Sequence, residues 1–225
     1  MTPPEASALL QALADPQTAT EAAAFHKAPR TYLGVSVPQI DSLVARWRAD
    51  LTVEARITLA AHLWDTNIHD ARLAAAKLLT QARLRPDTAA WALICTWAAT
   101  LDAWALADHA MIAGQKRLLA DPSRIETVAD WTRHPNMWTR RAALVITLPW
   151  TKQNHPTPQH EAVRDRVLGW CATYADDPDW FIQKTIARWL RDLAKHDPAR
   201  AERFLATHGH RLKPFALKEA RQYLP

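Results

Sequence analysis

Glycine, cysteine and long apolar runs are all scarce in this 225-residue chain. With 4 glycines, a sheet protein would lack the residues that tight hairpin turns favour, and no alternating apolar run bounded by turn glycines reads as a strand. The 2 cysteines, Cys95 and Cys171, lie far apart with no CxxC partner, which fits reduced, buried thiols rather than a nucleophile. No stretch reaches the length of a membrane span. Met1-Thr-Pro-Pro-Glu lacks the basic start and apolar run of a secretory signal, so the expectation is a cytoplasmic protein with no membrane partner. HExxH, GxxxxGKS or GxxxxGKT, GxSxG and GxGxxG are all missing. Zinc proteolysis, P-loop hydrolysis, common esterase chemistry and Rossmann nucleotide binding lose support with them.

What the chain does have is 48% hydrophobic residues, 11 tryptophans and 15 prolines spread over its length. That is enough apolar matter to bury a core without disulfide or metal staples. Scattered prolines with few glycines suit many helices with sharp ends, because proline stops one helix or opens the next. The formal net charge of +5 is uneven: residues 133–221 hold 16 Lys/Arg against 9 Asp/Glu, a local net of +7. A polyanion such as nucleic acid is the natural partner for that half, and a solvated basic surface is the alternative.

Apolar residues at three and four spacing predict helices over 3–14, 17–27, 38–49, 52–64, 68–84, 87–98, 101–120, 122–133, 136–148, 158–174, 180–195, 198–208 and 214–223. Pro38 opens one of these behind the Leu33-Gly34-Val35 turn, where Gly34 supplies backbone freedom. Asp121-Pro122-Ser123 and Asp197-Pro198 read as helix-to-helix corners, and Thr151–Pro158 as an exposed loop. Helices of this length joined by short corners are what a solenoid needs. The expected architecture is all-α: an α-α superhelix of about six HEAT-like helix pairs in a single domain, 1–225, with a concave basic face. A globular helical bundle is the rival.

Three constellations carry candidate chemistry. In Leu101-Asp102-Ala103-Trp104-Ala105-Leu106-Ala107-Asp108, residues four apart share a helical face, so Trp104 and Asp108 project together as an aromatic wall beside a carboxylate. A cationic ligand would favour that arrangement; a core tryptophan with a solvated aspartate is the plainer reading. In Asn136-Met137-Trp138-Thr139-Arg140-Arg141, paired arginines near a helix start suit phosphate, or else surface salt bridges. In Phe181-Ile182-Gln183-Lys184-Thr185-Ile186-Ala187-Arg188-Trp189, Ile182, Ile186, Trp189 and Leu193 fall on one side as core. His208 and His210 form a lone HGH more often solvated than metal-binding.

Together with Tyr32-Leu33-Gly34-Val35-Ser36-Val37-Pro38 and Asp197-Pro198, these segments resemble the DNA alkylation repair proteins, the HEAT-like repeat glycosylases of the AlkD type, over about residues 25 to 223 and in the family's order. The resemblance implies a basic concave surface on duplex DNA and excision of positively charged alkylated purines, of the N3-methyladenine and N7-methylguanine type, by hydrolysis of the N-glycosidic bond. It implies a monomer using no metal and no organic cofactor, and not needing to swallow the base in a pocket, unlike base-flipping glycosylases. Asp108 and Trp104 match the family's residues beside the damaged nucleotide's deoxyribose, and Arg141 its backbone contact. Arg140, Trp138, Lys184, Arg188 and Trp189 are further DNA-binding candidates.

One departure stands out. The family carries another tryptophan on the late helix, and alignment puts Arg188 there, with Trp189 one residue on. One residue turns a helical side chain by about 100°, so Trp189 takes that place only if the helix rotates or the alignment slips by one. Arg188 favours a rival function, a helical-repeat protein that binds damaged or branched DNA without cutting a bond; a protein-protein scaffold is the second rival.

Overall fold

The computed structural model describes residues 1–224. Among them it places thirteen α-helices: α1 Pro3–Ala12, α2 Pro16–His26, α3 Val37–Asp50, α4 Val53–Asp65, α5 His69–Leu78, α6 Thr88–Ala99, α7 Trp104–Ala120, α8 Ile125–Trp131, α9 Met137–Val145, α10 Pro158–Thr173, α11 Trp180–Ala194, α12 Pro198–His208 and α13 Pro214–Ala220. Extended pairing among the described residues is an isolated bridge between Thr31 and Ile68, so the protein is all-α.

The helices start where short polar side chains and prolines tell them to. Thr2 and Glu5 form a reciprocal capping box ahead of α1, and Thr157 with His160 does the same ahead of α10. Asp15 accepts from Thr18 N at 2.7 Å, Asp179 from Phe181 N at 2.7 Å, and Asp197 from Arg200 N at 3.2 Å. Each removes one of the unsatisfied N–H groups that a helix start exposes.

The chain divides into two compact units, Met1–Asp121 and a second from Pro122 onward. In the first, α4 packs on α5, α5 on α3 and α7, and α6 on α7. Its core includes Trp47 and Trp97, both fully buried, with Trp64 stacked on Trp97 at 4.3 Å between ring centroids. In the second, α11 is the hub, against α9, α12 and α13, and Trp150 and Trp189 are buried.

Two fully buried arginines explain where the structure departs from the helical periodicity. The apolar pattern runs on to Leu84, but α5 stops at Leu78, and Arg117 of α7 donates to the carbonyls of Gln81, Ala82 and Leu84 at 2.6, 3.0 and 3.0 Å. Those carbonyls therefore need no helical partner. In the second unit Arg164 donates to the carbonyls of Trp150 and Gln153 at 2.8 and 2.7 Å. The predicted loop at 151–158 accordingly begins inside the core: Leu148–Lys152 is a 3₁₀ helix and Thr151 is buried.

Candidate active site

In the first unit most of α7 faces inward: Ala105, Leu106, Ala107, Ala110, Met111 and Leu118 are buried. Trp104, Asp108, Ile112 and Leu119 reach the surface, and their spacing lines them up as one stripe along the helix. Trp104 is the first residue of α7 and Asp108 lies one turn on; both are part-exposed, with the carboxylate oxygen Oδ1 of Asp108 buried.

Behind Trp104 stands a cluster of rings that sequence reasoning missed. Phe25 and His26, at the end of α2, approach the indole at 5.9 Å edge-on and 5.5 Å tilted. His26 in turn lies 4.4 Å from His69, the first residue of α5, and Tyr32 stacks against both, at 6.0 and 4.8 Å. Burial pushes His69 down to about 3, helped by the positive charges of His26, Arg30 and His109. Burial and Arg30 lower His26 against the pull of Asp70. Near neutral pH the two imidazoles pack as uncharged rings. His109 is lowered by burial and then by Lys77, with Asp108 and Asp41 opposing.

The Tyr32–Pro38 motif turns out to be the floor of this cluster. Gly34 has φ 76°, and a Cβ there would meet the carbonyl oxygen of Asp15 at 2.3 Å, so the loop can press on the start of α2 only with glycine in place. Asp15 N donates to Leu33 O at 2.8 Å. The Asp70 carboxylate accepts from Leu33 N and Val35 N, both at 2.8 Å, pinning the loop to α5. In the same loop Arg30 donates to the Asp102 carboxylate, two residues before Trp104.

In the second unit Asn136 caps α9 by accepting from Trp138 N at 2.9 Å. The Trp138 ring leans on Phe181 at 4.6 Å, and the buried Arg141 guanidinium lies 5.8 Å from the Trp138 centroid, a cation held against an aromatic face. Thus three sequence-singled residues, Trp138, Arg141 and Phe181, form one cluster. Arg140 turns away from it, donating to the carbonyls of His134 and Pro135 at 3.2 and 3.1 Å and to Asp177 at 3.3 Å; its visible role is to clamp the turn ahead of α9. Lys184 is exposed and pairs with Glu219 at 2.5 Å. Other cations of this basic half are also paired, among them Arg166 with Glu126 at 2.5 Å and Arg211 with Asp176 at 2.6 Å.

Trp189 requires a correction. It is 0% exposed, and its indole N–H donates to the Thr147 hydroxyl at 3.2 Å. It is a core residue with its polar atom satisfied, and presents nothing to DNA. Arg188, one residue earlier, is part-exposed, so the helix has not rotated to bring Trp189 to the surface.

Among the described residues no group of three or more His, Cys, Asp or Glu is placed to hold a metal ion, and no helix is long and apolar enough to cross a membrane.

A sequence model described as DNA alkylation repair enzyme matches residues 6–224. None of the curated proteins matches the chain in sequence. Among solved structures, a predicted DNA alkylation repair enzyme from Enterococcus faecalis is similar with a TM-score of 0.79 at 20% identity, over 94% of this chain and 96% of that one. The structure of smu.31 from Streptococcus mutans UA159 gives 0.63 at 16% identity, over 84% and 93%. AlkD2 from Streptococcus mutans gives 0.59 at 17%, over 82% and 98%. At such identities the likeness speaks for the fold, an α-helical repeat.

Proposed function

The chain belongs to the DNA alkylation repair enzyme family, so its work is DNA repair, and on that premise we propose that it is a glycosylase that releases positively charged alkylated purines from duplex DNA. The observation that carries this reading is the surface stripe of α7, where Trp104 and Asp108 stand part-exposed one turn apart on a helix whose opposite side is buried.

The chemistry asks little beyond what that stripe offers. A purine alkylated at N3 or N7 is already cationic, so it departs with the electron pair of the glycosidic bond as a neutral base and needs no general acid. The barrier lies in the positive charge that develops on the sugar. A fixed carboxylate stabilises that charge, and Asp108 also orients the water whose oxygen bonds to C1′ and accepts the proton the water loses. The Trp104 face presses on the same sugar, and its ring electrons favour the cation. Only interactions stronger in the transition state than in the ground state raise the rate, and both of these are.

In the second unit, Arg141, held against Trp138, is a proposed contact to the DNA backbone, with Lys184 and Arg188 as outer phosphate contacts. A second reading, binding of damaged DNA without excision, is favoured by one observation: of the neighbours Arg188 and Trp189 it is the cation that is part-exposed on α11 and the indole that is buried, and a cation there repels a cationic lesion while attracting phosphate.

The test is incubation with duplex DNA carrying N7-methylguanine, reading both bound DNA and released free base at several salt concentrations. The glycosylase reading predicts release, with affinity falling steeply as salt rises. Tight salt-dependent binding without release would move the protein to the second reading, and absence of binding at low salt would remove DNA contact altogether.

A further inference from the structure

Resting on the reading of Trp104 as the residue against the sugar, we infer that Arg30, Asp102 and His26 are positioning residues that set the orientation of the Trp104 ring. The start of α7 lacks a capping side chain of its own, because its N-cap residue is Ala103. Such a start has orphan N–H groups and no local side-chain anchor. The anchor comes instead from a loop 72 residues earlier in the chain, where Arg30 donates through Nη2 to Asp102 Oδ1.

The Arg30 side chain is fully buried while that of Asp102 is 42% exposed. The segment 101–103 is therefore tied through Asp102 to a buried cation. A buried guanidinium in a pair is geometrically fixed by the cost of leaving either charge without its partner. His26 completes the arrangement from a different element, with its ring 5.5 Å from that of Trp104 and 4.4 Å from that of His69.

The indole is thus held from two directions, by the ion pair at Asp102 two residues before it and by the His26 imidazole against its ring. The groups facing His26 are Arg30, Asp70, His69, Tyr32, Phe25 and Trp104. The last residues of α2 and the Tyr32–Pro38 loop, pinned to α5 through Asp70, act as the wall that decides where an aromatic residue on α7 can sit. A misplacement on the order of 1 Å at a group touching the reacting centre costs up to about a hundredfold in rate.

The experiment labels the protein with 5-fluorotryptophan and reads Trp104 by fluorine NMR, its signal identified by loss in Trp104→Phe. Asp102→Asn, at a part-exposed site, is expected to shift or broaden the Trp104 signal and leave most other tryptophans in place. His26→Ala is expected to do the same, and His26→Phe, which keeps a ring there, to restore the signal towards wild type. On N7-methylguanine DNA, Asp102→Asn is expected to lower single-turnover release about tenfold or more with little change in affinity.

A Trp104 signal unmoved by both Asp102→Asn and His26→Ala would overturn the inference, whatever the activity. A moved signal in a protein whose wild type releases no base would uphold the positioning and reject the glycosylase reading. The charge-swapped pair Arg30→Asp with Asp102→Arg adds a control: recovery of the signal relative to Asp102→Arg alone marks the ion pair, and a signal that moves with His26→Ala but not with Asp102→Asn would overturn the roles of Arg30 and Asp102.

Discussion

Trp189 and Thr147 are joined by a buried hydrogen bond, indole Nε1 to hydroxyl Oγ1 at 3.2 Å, while the same hydroxyl donates to the carbonyl of Leu144 at 2.8 Å. This bond crosses from α11 to the turn after α9 and fixes the rotation of α11 about its own axis. The aromatic residue is thereby committed to the core and Arg188 to the other side. The consequence is an asymmetry between neighbours: Trp189→Ala should cost about 3–5 kcal/mol of stability by leaving a cavity, measured by urea unfolding. Arg188→Ala should cost less stability than Trp189→Ala, weaken duplex binding, and reduce the slope of log affinity against log salt by about 1. Equal loss of stability in both would contradict the assignment.

Gly34 combines a positive φ with a would-be Cβ inside contact distance of the Asp15 carbonyl and the Ala19 amide. Gly34→Ala should therefore destabilise the fold by more than about 1 kcal/mol. Urea titration measures it, and a neutral or stabilising result would mean the loop does not press on α2 as described.

The lowered pKa of His69 makes stability depend on acid. Its folded value is about 3 against an ordinary 6.5, so between those values the unfolded chain binds a proton that the folded chain refuses. By linkage, stability falls as pH drops through this window and rises as pH climbs back to neutrality. His26 is lowered as well and adds in the same direction. His69→Gln should flatten the fall of Tm between about pH 6.5 and pH 4 relative to wild type; an unchanged slope would show that the ring titrates as freely in the folded state as in the unfolded one.

Much of this architecture was legible in advance because the signals are local. Thirteen helices follow from apolar spacing and from caps such as Asp15, Thr157 and Asp197, each acting within three residues of itself. The same spacing groups Trp189 with Ile182, Ile186 and Leu193 as core, which is where all four lie; its candidacy for DNA contact came from the family pattern and not from the helix face.

What was not legible depends on partners far apart in the chain. Nothing near Leu78 announces that α5 ends there, because the carbonyls beyond it are satisfied by Arg117, more than thirty residues away. The wall behind Trp104 is likewise assembled from α2, α5 and the loop between α2 and α3, and Arg30 meets Asp102 across 72 positions. Tyr32 lay inside a motif already singled out. His26 and His69 carried no local mark beyond being histidines at a helix end and a helix start.

Asp108 is proposed to supply the negative charge that base excision needs. Single-turnover release of N7-methylguanine from duplex DNA by wild type and Asp108→Asn at low salt, with the affinity of each for the same DNA, tests it most directly. The variant is expected to lose release while binding as tightly or slightly more tightly, since a negative charge beside a polyanion has been removed. Release by the variant at the wild-type rate would contradict it.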